Sequence, residues 1–81
     1  MDAQFEKAVE DVKKCNPSDE RKLRLYGYYK VVKCGKCSGS CPSKWLDPKG
    51  NYKWNAWNKV SDLSKEDAMI GYIKLVEKIK G

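Results

Sequence analysis

Tyr26, Tyr29 and Lys30 stand at i, i+3 and i+4 in the run YGYYK. On a helix that spacing gathers them on one face. Two rings beside an ammonium make a seat for a nucleotide: a ring stacks on the base and the cation takes a phosphate. Tyrosines on a helix also serve a core, with Lys30 then only a solvated edge, and the spacing alone does not choose. A second pair, Lys49 and Lys53, lies four apart further along. If the two helices run parallel, this row comes near Lys30. Ammoniums gathered around one point repel each other unless an anion joins them.

A different chemistry is offered by CGKCSGSC, residues 34–41. With Cys15 it completes a set of four thiols in a chain without histidine. A closed zinc site wants four thiolates or a thiolate–imidazole mix, commonly as two short-spaced couples. Here only Cys34 and Cys37 form a couple; Cys41 and Cys15 are singles. A redox CxxC usually sits in a βαβ context, and no strand is expected. The spacing favours free thiols in a connecting loop, with a zinc site or a regulatory disulfide as the alternatives.

The 81 residues imply one domain, 1–81. Seventeen Lys and Arg against 11 Asp and Glu leave a net +6. That balance favours nucleic acid, an acidic membrane surface or a phosphate-rich small molecule, or it serves solubility alone. The opening MDAQFEKAVEDV is polar and acidic where a secretory leader is basic and then apolar. No apolar run approaches the ~20 residues of a membrane span. A soluble, cytoplasmic protein is therefore expected. With no histidine, no nucleophile elbow and no carboxylate pair set for acid–base work, an enzyme is not expected.

Four helices must position these groups. Phe5, Ala8, Val9 and Val12 form one apolar stripe on the first, with Asp2 as its cap. Asn16-Pro17 is expected to close it and open the second, Asn as cap and Pro in the first turn. The second helix runs from about Ser18 to the Val31-Val32 region, stopped by Gly35. Gly27 in mid-helix costs ~1 kcal/mol against alanine, which implies that something packs close to the backbone. Residues 35–47 read as a long loop, fitting neighbours that run parallel. Asp47-Pro48 opens the third helix, with Trp54, Trp57 and Val60 along its apolar edge. Ser64 to Asp67 form a capping box. The fourth helix then carries Met69, Tyr72, Ile73, Val76 and Ile79 at helical spacing.

Three segments together resemble the acyl-CoA-binding protein family: FEKAVEDVK (5–13), PSDERKLRLYGYYKVVKCG (17–35) and KWNAWNKVSDLSKEDAMIGYIKLVEKI (53–79). The resemblance implies an all-α, four-helix bundle in up-down-down-up order with a long loop between helices 2 and 3. It implies reversible, non-enzymatic binding of medium- to long-chain fatty acyl-CoA by a monomeric intracellular carrier. No cofactor or metal is implied, and acyl-CoA-using enzymes or membrane surfaces are the transient partners. Residue by residue, it implies that Tyr29 stacks on adenine. Lys30 and Lys53 hold the 3'-phosphate, assisted by the Tyr26 hydroxyl. Tyr72 lines the site, Lys13 contributes from the first helix, and Gly27 and Tyr28 share the contact segment. Phe5, Val9 and the apolar side of helix four are candidates for the tail groove, with plain core packing as the alternative for each and the favoured one for Val9, and Trp54 and Trp57 are expected to be buried between helices. Val31 and Val32 depart from the family, which commonly has glutamine and a small residue there. A small nucleic-acid-binding module and a cysteine-based zinc or redox domain remain the alternatives.

Overall fold

Side-chain caps decide where the helices begin. Ser18 Oγ accepts from the Arg21 amide, Asp47 Oδ1 from the Gly50 amide and Ser64 Oγ from the Asp67 amide. Each satisfies one of the amides that a helix start leaves unpaired. The computed structural model describes residues 2–81, and these form α1 (Asp2–Lys13), α2 (Asp19–Cys34), α3 (Pro48–Lys59) and α4 (Lys65–Lys80). Among the described residues there is no strand, and no helix is long and apolar enough to cross a membrane.

Two expected starts are corrected. Asp2 lies inside the first turn of α1, where its charge favours the helix dipole, and is not its cap. Ser18 caps α2 in place of Asn16, because its hydroxyl reaches the Arg21 amide; Pro17 falls before the cap. The remaining boundaries match the expectation. Gly35 ends α2 at φ 81°, a conformation that costs glycine little, and its amide donates to the Val31 carbonyl. Residues 35–47 form the long connection.

The contacts give the up-down-down-up order. On α1 and α4, Lys80 Nζ meets Asp11 Oδ2 at 3.0 Å near the C-terminal ends, and Phe5 meets Tyr72 nearer the starts. The two helices are therefore parallel. α2 runs against α4, with Tyr28 laid on Gly71. α2 and α3 advance together, Tyr26 beside Lys53 and Lys30 beside Trp57.

The core is Phe5 and Ala8 from α1, Leu25, Val31 and Val32 from α2, and Ala68, Met69, Tyr72 and Val76 from α4. Burying each large apolar side chain contributes ~1.5–3 kcal/mol. α3 supplies no fully buried residue. Its Trp54 and Trp57 are half-buried, not enclosed as expected, because α3 packs on α2 alone.

The close approach implied at Gly27 is present: a Cβ there would lie 2.6 Å from the Ala56 carbonyl oxygen and 3.1 Å from Val60 Cγ2. Backbone does not yield as a side-chain tip does. Gly27→Ala is therefore expected to destabilise the bundle by ~1–3 kcal/mol of overpacking, outweighing the ~1 kcal/mol of helix propensity it gains. Urea unfolding followed by circular dichroism measures this, and equal or higher stability in the variant would contradict the contact.

Candidate functional site

One face of α2 carries Tyr26, Tyr29, Lys30 and Lys33, and α3 lays Lys53 and Trp57 against it. Lys30 Nζ sits 4.8 Å from the centroid of Trp57, Lys53 Nζ 5.4 Å from that of Tyr26 and Lys33 Nζ 5.8 Å from that of Tyr29. Ammonium over a ring face is worth ~0.5–1 kcal/mol at exposed positions. Lys33 also meets Glu6 Oε1 at 3.6 Å. Among the described residues, no carboxylate lies within ion-pair distance of Lys30 or Lys53. Two cations thus converge on aromatic surface with their charge uncompensated, an arrangement that an anion relieves.

Packing fixes the rings. Tyr29 is 37% exposed on one side, and on the other stacks on Phe5 at 6.3 Å and 22°. Phe5 meets Tyr72 edge-on at 5.0 Å. Trp57 Nε1 donates to the Gly35 carbonyl at 2.8 Å, so the first residue after α2 holds the indole that carries Lys30. The Cys37 amide donates to Ser61 Oγ at 2.9 Å, which in turn donates to the Trp57 carbonyl at 2.9 Å. The start of the cysteine loop is therefore stapled to the end of α3.

Not every expected residue joins this group. Tyr26, Tyr29, Lys30 and Lys53 do, and Tyr72, 5% exposed, adjoins only the Tyr29 end, through Phe5. Gly27 is covered by α3 and offers no surface. Tyr28 turns the other way, over Gly71, and lines a separate cleft. Lys13 is held by Glu10 at 3.3 Å on its own helix. Of the Lys49–Lys53 row only Lys53 stands at the rings; Lys49 is exposed. Phe5 is 1% exposed and belongs to the core, not to a tail groove. Sequence reasoning did not single out Lys33, although it stands i+4 from Tyr29 on the same face. It also gave Trp57 a packing role only, although Trp57 is i+4 from Lys53.

The separate cleft, about 360 Å³, lies between the first half of α2 and the opposite side of α3. Leu23, Tyr28, Tyr52, Ala56 and Val60 give it an apolar lining, with Glu20, Arg24 and Lys59 also present. The four cysteines are unpaired, and among the described residues no cluster of His, Cys, Asp or Glu is arranged to hold a metal.

The Acyl CoA binding protein family profile matches residues 2–76. The chain belongs to the acyl-CoA-binding protein family. Acyl-CoA-binding domain-containing protein 5 of Xenopus laevis is 49% identical over 63 residues, covering 78% of this chain and 13% of the relative. The protein of the same name from Rattus norvegicus is 46% identical over 63 residues, covering 78% and 12%. The chain thus spans about an eighth of the length of these relatives. In the crystal structure of Oryza sativa Acyl-CoA-Binding Protein 2 the fold recurs with a TM-score of 0.92 at 37% identity, covering 98% of this chain and 87% of the rice chain. The acyl-CoA-binding fold therefore accounts for the whole bundle.

Burial, and then the neighbouring Tyr29, push the Tyr72 phenol above its ordinary value of 10.0. The native state keeps a proton there that the unfolded chain releases. The stability this confers is intact below about pH 10 and is lost as pH rises through the native value. Urea unfolding at a series of alkaline pH values should show stability falling, with a smaller fall in Tyr72→Phe. Equal slopes in the two proteins would contradict the buried phenol.

Proposed function

We propose that this chain binds medium- to long-chain fatty acyl-CoA thioesters reversibly and serves as a non-enzymatic, monomeric carrier and reservoir for them in the cytoplasm. The observation that carries the reading is the pair Lys30 and Lys53, uncompensated ammoniums on adjoining helices beside Tyr26 and Tyr29. Coenzyme A brings what this face lacks. Its 3'-phosphate joins Lys30 and Lys53, with the Tyr26 hydroxyl donating, and its adenine stacks on Tyr29. Lys33 leaves the Tyr29 ring to admit the base and stays within reach of the phosphates. Charge-assisted hydrogen bonds of this kind contribute ~1.5–3 kcal/mol each.

The tail needs apolar cover, and ~0.8 kcal/mol follows for each CH2 removed from water. With Phe5 inside the core, the cleft at Leu23, Tyr52 and Val60 is the better receptor. Leu23 stands one turn before Tyr26, so tail and head group attach to consecutive turns of α2. Lys13 rests on family resemblance and is the least supported of the assigned residues, since Glu10 holds it. Acyl-CoA-using enzymes or membranes would receive the cargo.

Calorimetric titration with palmitoyl-CoA should show Lys30→Ala and Tyr29→Ala each binding ~10–100-fold more weakly, with unchanged helical circular dichroism. Unchanged affinity in both would remove the assigned head-group site. Leu23→Ser addresses the tail separately. It should weaken palmitoyl-CoA binding while leaving that of free coenzyme A intact, and equal effects on the two ligands would move the tail out of this cleft.

A further inference from the structure

The connection between α2 and α3 ends in the two most exposed large apolar side chains of the described protein, Trp45 at 93% and Leu46 at 90%. Neither belongs to the head-group site or to the cleft. The backbone beneath them is built, not slack. The Asp47 amide donates to the Ser43 carbonyl at 2.8 Å, and Ser43 Oγ accepts from the Trp45 and Leu46 amides at 3.2 and 3.4 Å. Asn51 Nδ2 ties the same loop to α3 through the Pro42 carbonyl at 2.9 Å. The fold thus holds an indole and an isobutyl group out into water on an ordered turn. Their surroundings are basic. Residues 36–49 contain three lysines, Lys36, Lys44 and Lys49, and one acid, Asp47, and that acid is engaged as the α3 cap.

We propose that this turn is a docking wedge for an anionic lipid bilayer. Trp45 and Leu46 enter the boundary between head groups and acyl chains, where an indole satisfies both its apolar body and its N–H. Lys44 and Lys49, both exposed, meet the acidic head groups. A bilayer fits better than a second copy, because the turn's own positive charge opposes self-pairing. It also fits better than a grooved protein, because the flanking Ser43, Lys44, Asp47, Pro48 and Lys49 are exposed and offer no continuous apolar patch around the two side chains. Acidic head groups complement the lysines and require no matching shape. The wedge goes beyond the carrier reading and does not rest on it, since Tyr29 and Lys30 take no part.

The test is co-sedimentation of the ligand-free protein with vesicles of phosphatidylcholine containing phosphatidylserine, and with vesicles of phosphatidylcholine alone. The wild type should bind the anionic vesicles, more weakly as salt rises. The double variant Trp45→Ala with Leu46→Ala should bind at least about tenfold more weakly. Lys44→Ala with Lys49→Ala should lose the preference for phosphatidylserine. Palmitoyl-CoA affinity in solution should stay unchanged in the first double variant, which separates this outcome from any failure of the carrier reading. The proposal falls if the wild type ignores both vesicles or if the Trp45/Leu46 variant sediments as well as the wild type. It also falls if the only change is loss of lipid-free self-association, which would make the occupant a second copy.

Discussion

Gly27 lets the backbones of α2 and α3 approach until only the absence of a Cβ leaves room, and the candidate head-group site depends on that contact. With the helices this close, Lys53 reaches the ring of Tyr26 and Lys30 reaches that of Trp57. Were the helices held apart by a methyl group, each ammonium would drift toward solvent. Aromatic faces are suitable resting places for such cations. They weakly favour the charge without neutralising it, so an arriving phosphate finds an ammonium not already bound to a carboxylate.

The rings are held from behind. Phe5, almost wholly enclosed, backs Tyr29 from α1 and touches Tyr72 on α4, so one core side chain sets the depth of the exposed tyrosine. The start of the connecting loop sets the other edge. The Gly35 carbonyl accepts from Trp57 Nε1, and the Cys37 amide reaches Ser61. Rigid elements of this kind preserve a binding geometry better than free loops do. CGKCSGSC thus has a positioning role, through the Gly35 carbonyl and Cys37 amide and also through the Cys37 thiol, which donates to the Trp54 carbonyl on α3.

The helices were largely legible because their signals are local. The Phe5, Ala8, Val9, Val12 stripe, the caps at Asp47 and Ser64 and the stop at Gly35 lie within a turn or two of what they control. The grouping of Tyr26, Tyr29 and Lys30 on one face was legible for the same reason, and the approach of Lys53 followed from its row with Lys49 once α2 and α3 run parallel. The misplaced residues depend on rotation about a helix and on what packs there. Tyr28 stands two residues from Tyr26, some 200° around α2, so it meets Gly71 and the far cleft. The burial of Phe5 and the half-burial of the α3 tryptophans depend on which helices become neighbours, and sequence periodicity does not encode that. Ser18 displaced Asn16 as a cap by two residues, a margin at which two good capping residues compete.

α3 carries much of the site and little of the core. It packs on α2 alone, buries no side chain fully, and leaves the Trp54 Nε1 donor enclosed without a partner. An unsatisfied donor of that kind costs ~1–3 kcal/mol. α3 nonetheless meets α2 as extensively as any two helices of the bundle meet, so breadth of contact and the bonds at Gly35 and Ser61 hold it where an enclosed core does not. On the proposed reading, a phosphate between Lys30 and Lys53 would span this seam and stabilise the folded arrangement by the free energy of binding. The enclosed core thus resides in α1, α2 and α4, and α3 adds a broad, half-buried face on α2, with Lys30 and Lys53 meeting aromatic rings along that seam.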